Sequence, residues 1–179
     1  MAQNDLVKVG GAFVVGAAIA VALVAAAFDV NLFGDTETGV TLSVLKSGAG
    51  CVLSGKETEA HVKKNKKLIW KIRNYCTDGS KTVIVGNFRT SPDAVSATDC
   101  SAPTSGQVDY PFTEQDLAAR SKEVDAGETE SSGSIDPGEA NLKLKVKNLD
   151  IPNGQSSLTY YYDICIGNQK FDPRLEVER

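Results

Sequence analysis

His61 and four cysteines are the residues of this chain best suited to metal, redox or nucleophilic chemistry, and their number and spacing limit what that chemistry is. A blue-copper centre takes two imidazoles and a thiolate in a plane, with a weak axial ligand that is commonly methionine. His61 is the single histidine and Met1 the single methionine, so copper has no ligand set. Zinc is short of ligands for the same reason unless cysteines take part, and we expect these cysteines to be oxidised. No metal site and no cofactor of the chain's own are therefore expected. Serine-type catalysis would have to use His61, which stands among Lys63, Lys64, Lys66 and Lys67. That setting suits a surface turn better than a buried triad. Neither GxxxxGK[ST] nor GxGxxG is present, so no loop is built to cradle phosphate. No catalytic residue is assigned, and the chain is not expected to be an enzyme.

Cys51, Cys76, Cys100 and Cys165 contain no CxxC spacing, which removes the usual signature of a redox motif, a zinc knuckle or a c-type haem site. An even count in an oxidising compartment implies two disulfides, and four cysteines allow three connectivities. The pairing expected here is Cys76 with Cys100 and Cys51 with Cys165. Two charge features remain. Lys63, Lys64, Lys66 and Lys67 could meet anionic headgroups or an acidic neighbour, or simply form a solvated turn. Glu123, Asp125, Glu128 and Glu130 could steer a basic soluble partner such as a small electron carrier, or keep a loop soluble. Nineteen Lys and Arg against 23 Asp and Glu give a net charge of −4, which offers no reason to expect nucleic acid.

These residues are positioned by an anchor and a β domain. Residues 9–28 carry no charge, and at about 1.5 Å per residue a helix of that length spans about 30 Å, the hydrocarbon core of a bilayer. Ala12, Gly16 and Ala20 recur at every fourth position, a small-residue stripe that lets a second transmembrane helix approach closely. A cleavable signal peptide is the rival reading, given Ala25-Ala26-Ala27, but residues 1–8 hold one Asp against one Lys and the apolar run exceeds the usual h-region. Lys8 precedes the span while Asp29, Asp35 and Glu37 come before the first basic residue after it, Lys46. Basic residues favour the cytoplasmic side, so the amino terminus is expected inside and the main domain outside.

After a short linker over residues 29–39, residues 40–179 are expected to form one domain, all-β and built as an antiparallel β-sandwich. Strands are read at residues 40–45, 68–76 and 81–89, the last two as a hairpin through Thr77-Asp78-Gly79-Ser80. Residues 90–138 are read as a long loop with one short helix over 113–122, capped by Thr113. Leu142, Leu144 and Val146 alternate with Lys143, Lys145 and Lys147 as a strand with one buried face. Residues 158–166 and 170–178 form a hairpin about Gly167-Asn168. Its register sets Ile164 against Phe171, Tyr162 against Pro173, Tyr160 against Leu175 and Leu158 against Val177.

Tyr160-Tyr161-Tyr162-Asp163-Ile164-Cys165-Ile166 followed by Asp172-Pro173-Arg174-Leu175-Glu176-Val177 resembles the closing hairpin of membrane-anchored periplasmic cupredoxin-like domains. Immunoglobulin-like sandwiches end in a similar way. The resemblance implies a copper-free domain on the periplasmic side of a bacterial inner membrane. It also implies an accessory subunit of a photosynthetic reaction-centre or respiratory assembly, with pigments or lipids held by neighbouring subunits. Residues and resemblance together point to a structural subunit whose partners are the lipid bilayer and other integral membrane subunits. A free-standing, membrane-anchored binding module that captures a soluble ligand or protein is the alternative.

Overall fold

Burial alternates with period two over residues 40–45, 141–146 and 174–178 and runs unbroken over 85–89 and 162–166 in the structure, a computed structural model that describes residues 37–48, 50–55, 59–92, 100–105 and 108–179. All of these fall within one compact unit, Asn31–Arg179. The anchor, with Ala12, Gly16 and Ala20, lies outside the described residues. No described helix is long and apolar enough to cross a membrane.

Twelve strands are described. In chain order the first five are β1 (Glu37–Ser47), β2 (Gly50–Gly55), β3 (Glu59–Lys63), β4 (Lys67–Asn74) and β5 (Lys81–Arg89). The short β6 (Ser121–Val124), β7 (Glu128–Thr129) and β8 (Ile135–Asp136) follow, then β9 (Gly138–Lys145), β10 (Ser157–Ile166), β11 (Gln169–Phe171) and β12 (Arg174–Glu178). One sheet runs β2-β1-β4-β9 and a second runs β3-β12-β10-β5-β6, with β11 on β10; β7 and β8 pair separately. The fold is all-β, and a single apolar core draws on the inward faces of both larger sheets, an arrangement that fits a β-sandwich. Trp70 of β4 meets Tyr162 of β10 edge-on at 6.1 Å, and its indole N–H donates to the Tyr162 hydroxyl at 3.3 Å. Phe88 stacks on Tyr162 at 5.0 Å, and Phe112 closes the cluster against Trp70 and Phe88.

The closing hairpin keeps the register read from sequence: Ile164 opposes Phe171, Tyr160 opposes Leu175 and Leu158 opposes Val177. Pro173 has no N–H for a ladder and falls in the break between β11 and β12, where its carbonyl accepts from the Tyr162 N–H at 3.1 Å.

Four expectations are corrected. The sheets are not purely antiparallel, because β1 runs parallel to β4 and β3 parallel to β12; alternation looks the same in either direction, so sequence does not show it. β4 and β5 are no hairpin: residues 77–80 carry the chain from one sheet to the other. Residues 90–138 include β6, β7 and β8. The helix over 113–122 is a single turn that gives way to β6, with Arg120 N–H bonded to Asp116 O at 3.1 Å. Thr113 spends its hydroxyl on the Lys145 carbonyl at 3.3 Å, and the Glu114 carboxylate accepts the Lys145 N–H at 3.0 Å. The cap and first-turn acid thus bind the end of β9 rather than a helix start.

Candidate functional site

All four cysteines are oxidised, as Cys51–Cys76 and Cys100–Cys165, and none is free. The expected pairing is corrected, and topology explains why. The parallel run of β1 beside β4 brings the chain just past β4 against the β1–β2 hairpin, the Tyr75 N–H donating to the Val44 carbonyl at 2.8 Å. That places Cys76 beside Cys51. Cys165 lies on β10 opposite Ile84 of β5, and residues 100–105 fold back over β5 through Asn87 N–H to Ala102 O at 2.9 Å and Phe88 N–H to Pro103 O at 3.0 Å. Peptide mapping under non-reducing conditions should therefore recover Cys51 linked to Cys76 and Cys100 linked to Cys165, with no free thiol. Recovery of Cys76 joined to Cys100 would contradict this topology.

A cleft of about 430 Å³ opens beside the first disulfide, lined by Cys51, Asp78, Ser80, Lys81 and Ile166 among others. Asp78, Ser80 and Lys81 are already engaged. Asp78 pairs with Lys81 at 3.1 Å and touches the bonded sulfur of Cys51, which has no proton to donate. The Ser80 hydroxyl donates to Glu123 at 2.6 Å.

His61 is exposed as expected, but it lies on β3 rather than in a turn. Its Nε2 stands 3.3 Å from Glu59, and its Nδ1 stands 3.2 Å from Glu178 and 3.6 Å from Glu176. Carboxylates on both ring nitrogens suit an imidazole that bridges strands β3 and β12. Glu59, His61 and Glu176 could each offer one ligand atom to a single ion, the three atoms lying within 4.8 Å of one another. Glu59 is further claimed by the Arg174 guanidinium, whose hydrogen bond holds its carboxyl below the usual range.

The densest buried polar group centres on Asp163 of β10, wholly buried. It accepts from Arg89 Nη1 at 2.9 Å and from Asn87 Nδ2 at 2.9 Å, with Lys170 Nζ at 3.3 Å. Arg89 also reaches Asp172 at 2.6 Å. The register slips here between Tyr161 and Asp163, and Asn87 sits at φ 53°, a bulge that turns these side chains toward one another. Arg120, equally buried, donates to the carbonyls of Val85, Cys100, Ser101 and Gln115. Sequence reasoning passed over both groups: an Arg or Asp inside a strand looks like any solvent-facing polar residue until its neighbours are known.

Lys63, Lys64, Lys66 and Lys67 sit at the β3–β4 turn, where Asn65 takes φ 65°. The structure adds lysines to that group. Lys67 directly opposes Lys145 of β9, and Lys143 and Lys147 follow on the same strand and its extension. Glu123, Asp125, Glu128 and Glu130 lie apart on β6, β7 and the loops between, with Glu130 bound to Ser134 and Ser132. No protein-family model and no curated protein matches this chain.

Proposed function

We propose that the chain is a non-catalytic, single-pass structural subunit of a larger membrane complex. On this reading an immunoglobulin-like or cupredoxin-like β-sandwich stands on the periplasmic side of a bacterial inner membrane, in an energy-transducing assembly of the photosynthetic or respiratory kind. The observation that carries the proposal is how the interior polar groups are used. Asp163 and Arg89 bind one another, and Arg120 binds backbone carbonyls, as suits a rigid docking scaffold. The uncharged run of residues 9–28 and its small-residue stripe supply the attachment.

The test is Gly16→Leu. In lipid there is little hydrophobic drive between helices, so association depends on close contact, which a bulky side chain prevents. The variant should insert normally yet separate from its partners on mild-detergent extraction and size separation, while Val14→Leu, off the stripe, stays with them. Co-purification of Gly16→Leu at wild-type yield would remove the helix from the interface. Wild-type protein that runs alone would favour the free-standing binding module.

A further inference from the structure

We propose that one end of the β domain is a docking surface for anionic membrane headgroups, an inference that rests on the membrane-subunit reading above. The sheet register gathers basic residues there that are scattered in sequence. Lys67 opens β4 with Lys145 closing β9 directly opposite, and Lys63, Lys64 and Lys66 surround the β3–β4 turn that leads into Lys67. The Val146 N–H binds the Lys66 carbonyl at 2.8 Å, which brings Lys147 to the same end. Lys63, Lys67, Lys143 and Lys145 are exposed.

No carboxylate among the described residues makes an ion pair with any of these lysines. Glu178 is bound to His61, and Glu114 to the Lys145 N–H. Lys147 instead lies over the Tyr110 ring, 5.7 Å from its centre. Like charges directly opposed across a ladder destabilise a sheet, so the Lys67–Lys145 pairing is a cost to the fold. In a chain of net charge −4, a pole of unneutralised lysines calls for an external anion.

Chain connection selects which anion. β1 begins at Glu37, whose register partner on β4 is Lys67. The linker therefore joins the domain at its basic end. On the membrane-subunit reading, residues 29–36 allow a tether of at most about 28 Å between Glu37 and the membrane span even when fully extended. Lysines near a bilayer surface attract anionic lipid at short range.

The full chain should be reconstituted in neutral phosphatidylcholine vesicles and in vesicles that also contain phosphatidylglycerol, then acetylated with a membrane-impermeant amine reagent and mapped by mass spectrometry. Lys46, at the other end of β1, is the internal reference. Acetylation of Lys63, Lys67, Lys143 and Lys145 relative to Lys46 should fall about fivefold on the anionic vesicles and recover in concentrated salt. In Lys67→Glu with Lys145→Glu, protection of Lys63 and Lys143 should disappear while the protein still floats with vesicles. Equal labelling on both vesicle types overturns the proposal. So does protection seen only in the detergent-extracted complex, which would assign the surface to an acidic protein neighbour. Failure to float with either vesicle removes the anchor, and this proposal with it; flotation without protection removes this proposal alone.

Discussion

Asp163→Asn should destabilise the domain by about 3 kcal/mol, because breaking one side of a buried ion pair strands the other charge. Asp163 is fully buried and Arg89 is 2% exposed. An amide keeps the shape of the side chain but presents one acceptor and an N–H₂ group to donors already aimed at it by Arg89, Asn87 and Lys170. The carboxylate still facing Arg89 would be Asp172, whose side chain is 48% exposed. A pair screened by that much water contributes little, so Asp172→Asn is the control and should cost under about 1 kcal/mol. Replacing both members of the central pair, Arg89→Met with Asp163→Leu, should recover part of the loss, since no fully buried charge is then stranded and the former partners Lys170 and Asp172 are partly exposed to water. The measurement is denaturant unfolding of the full chain in mild detergent. Trp70, the single tryptophan, reports from the middle of the core. An Asp163→Asn midpoint and slope equal to wild type would mean that this network does not hold β5 to β10.

Gly86→Ala should cost about 3 kcal/mol or more, from one added methyl group. A β-carbon at this position would lie 2.5 Å from the Cys100 carbonyl oxygen, 2.6 Å from the Ala102 carbonyl oxygen and 2.6 Å from Arg120 Nη1. None of the three has freedom to retreat. Cys100 is tied to Cys165 on the strand beside β5. The Ala102 carbonyl accepts the Asn87 N–H at 2.9 Å. Arg120 Nη1 donates to Val85 O at 2.6 Å and to Cys100 O at 3.1 Å. To make room, the covering segment must lift, which strands buried carbonyls and a buried guanidinium together. Gly50→Ala is the matched control: no atom lies within 4 Å of its added carbon, and the effect should stay within about 0.5 kcal/mol. Unfolding by the same Trp70 signal reads both. A Gly86→Ala protein as stable as Gly50→Ala would show that residues 100–102 do not press on β5.

What the sequence determined by itself is local. Leu142, Leu144 and Val146 had to be buried and their lysine neighbours exposed, because a strand turns alternate side chains to opposite faces and these alternate without a break. The closing hairpin was legible for a related reason: once Gly167-Asn168 is taken as the loop, the register follows from counting, and that register sets apolar against apolar. The even cysteine count likewise implied full oxidation.

Tertiary structure alone decided which distant strands meet and in what direction. Period two is identical in parallel and antiparallel strands, so nothing in residues 37–47 announces that β1 runs alongside β4. From that choice follows the Cys51–Cys76 bond, and from the separate pairing of β4 with β9 the meeting of Lys67 with Lys145. The single turn at 117–120 was undecidable for the opposite reason. Thr113 and Glu114 are sound helix-opening residues, but their polar atoms had a second set of partners at Lys145 that the sequence places about 30 residues away. Local propensity is worth a few tenths of a kcal/mol per residue, less than the strand pairing of β6 and the four carbonyl bonds of Arg120 that oppose it.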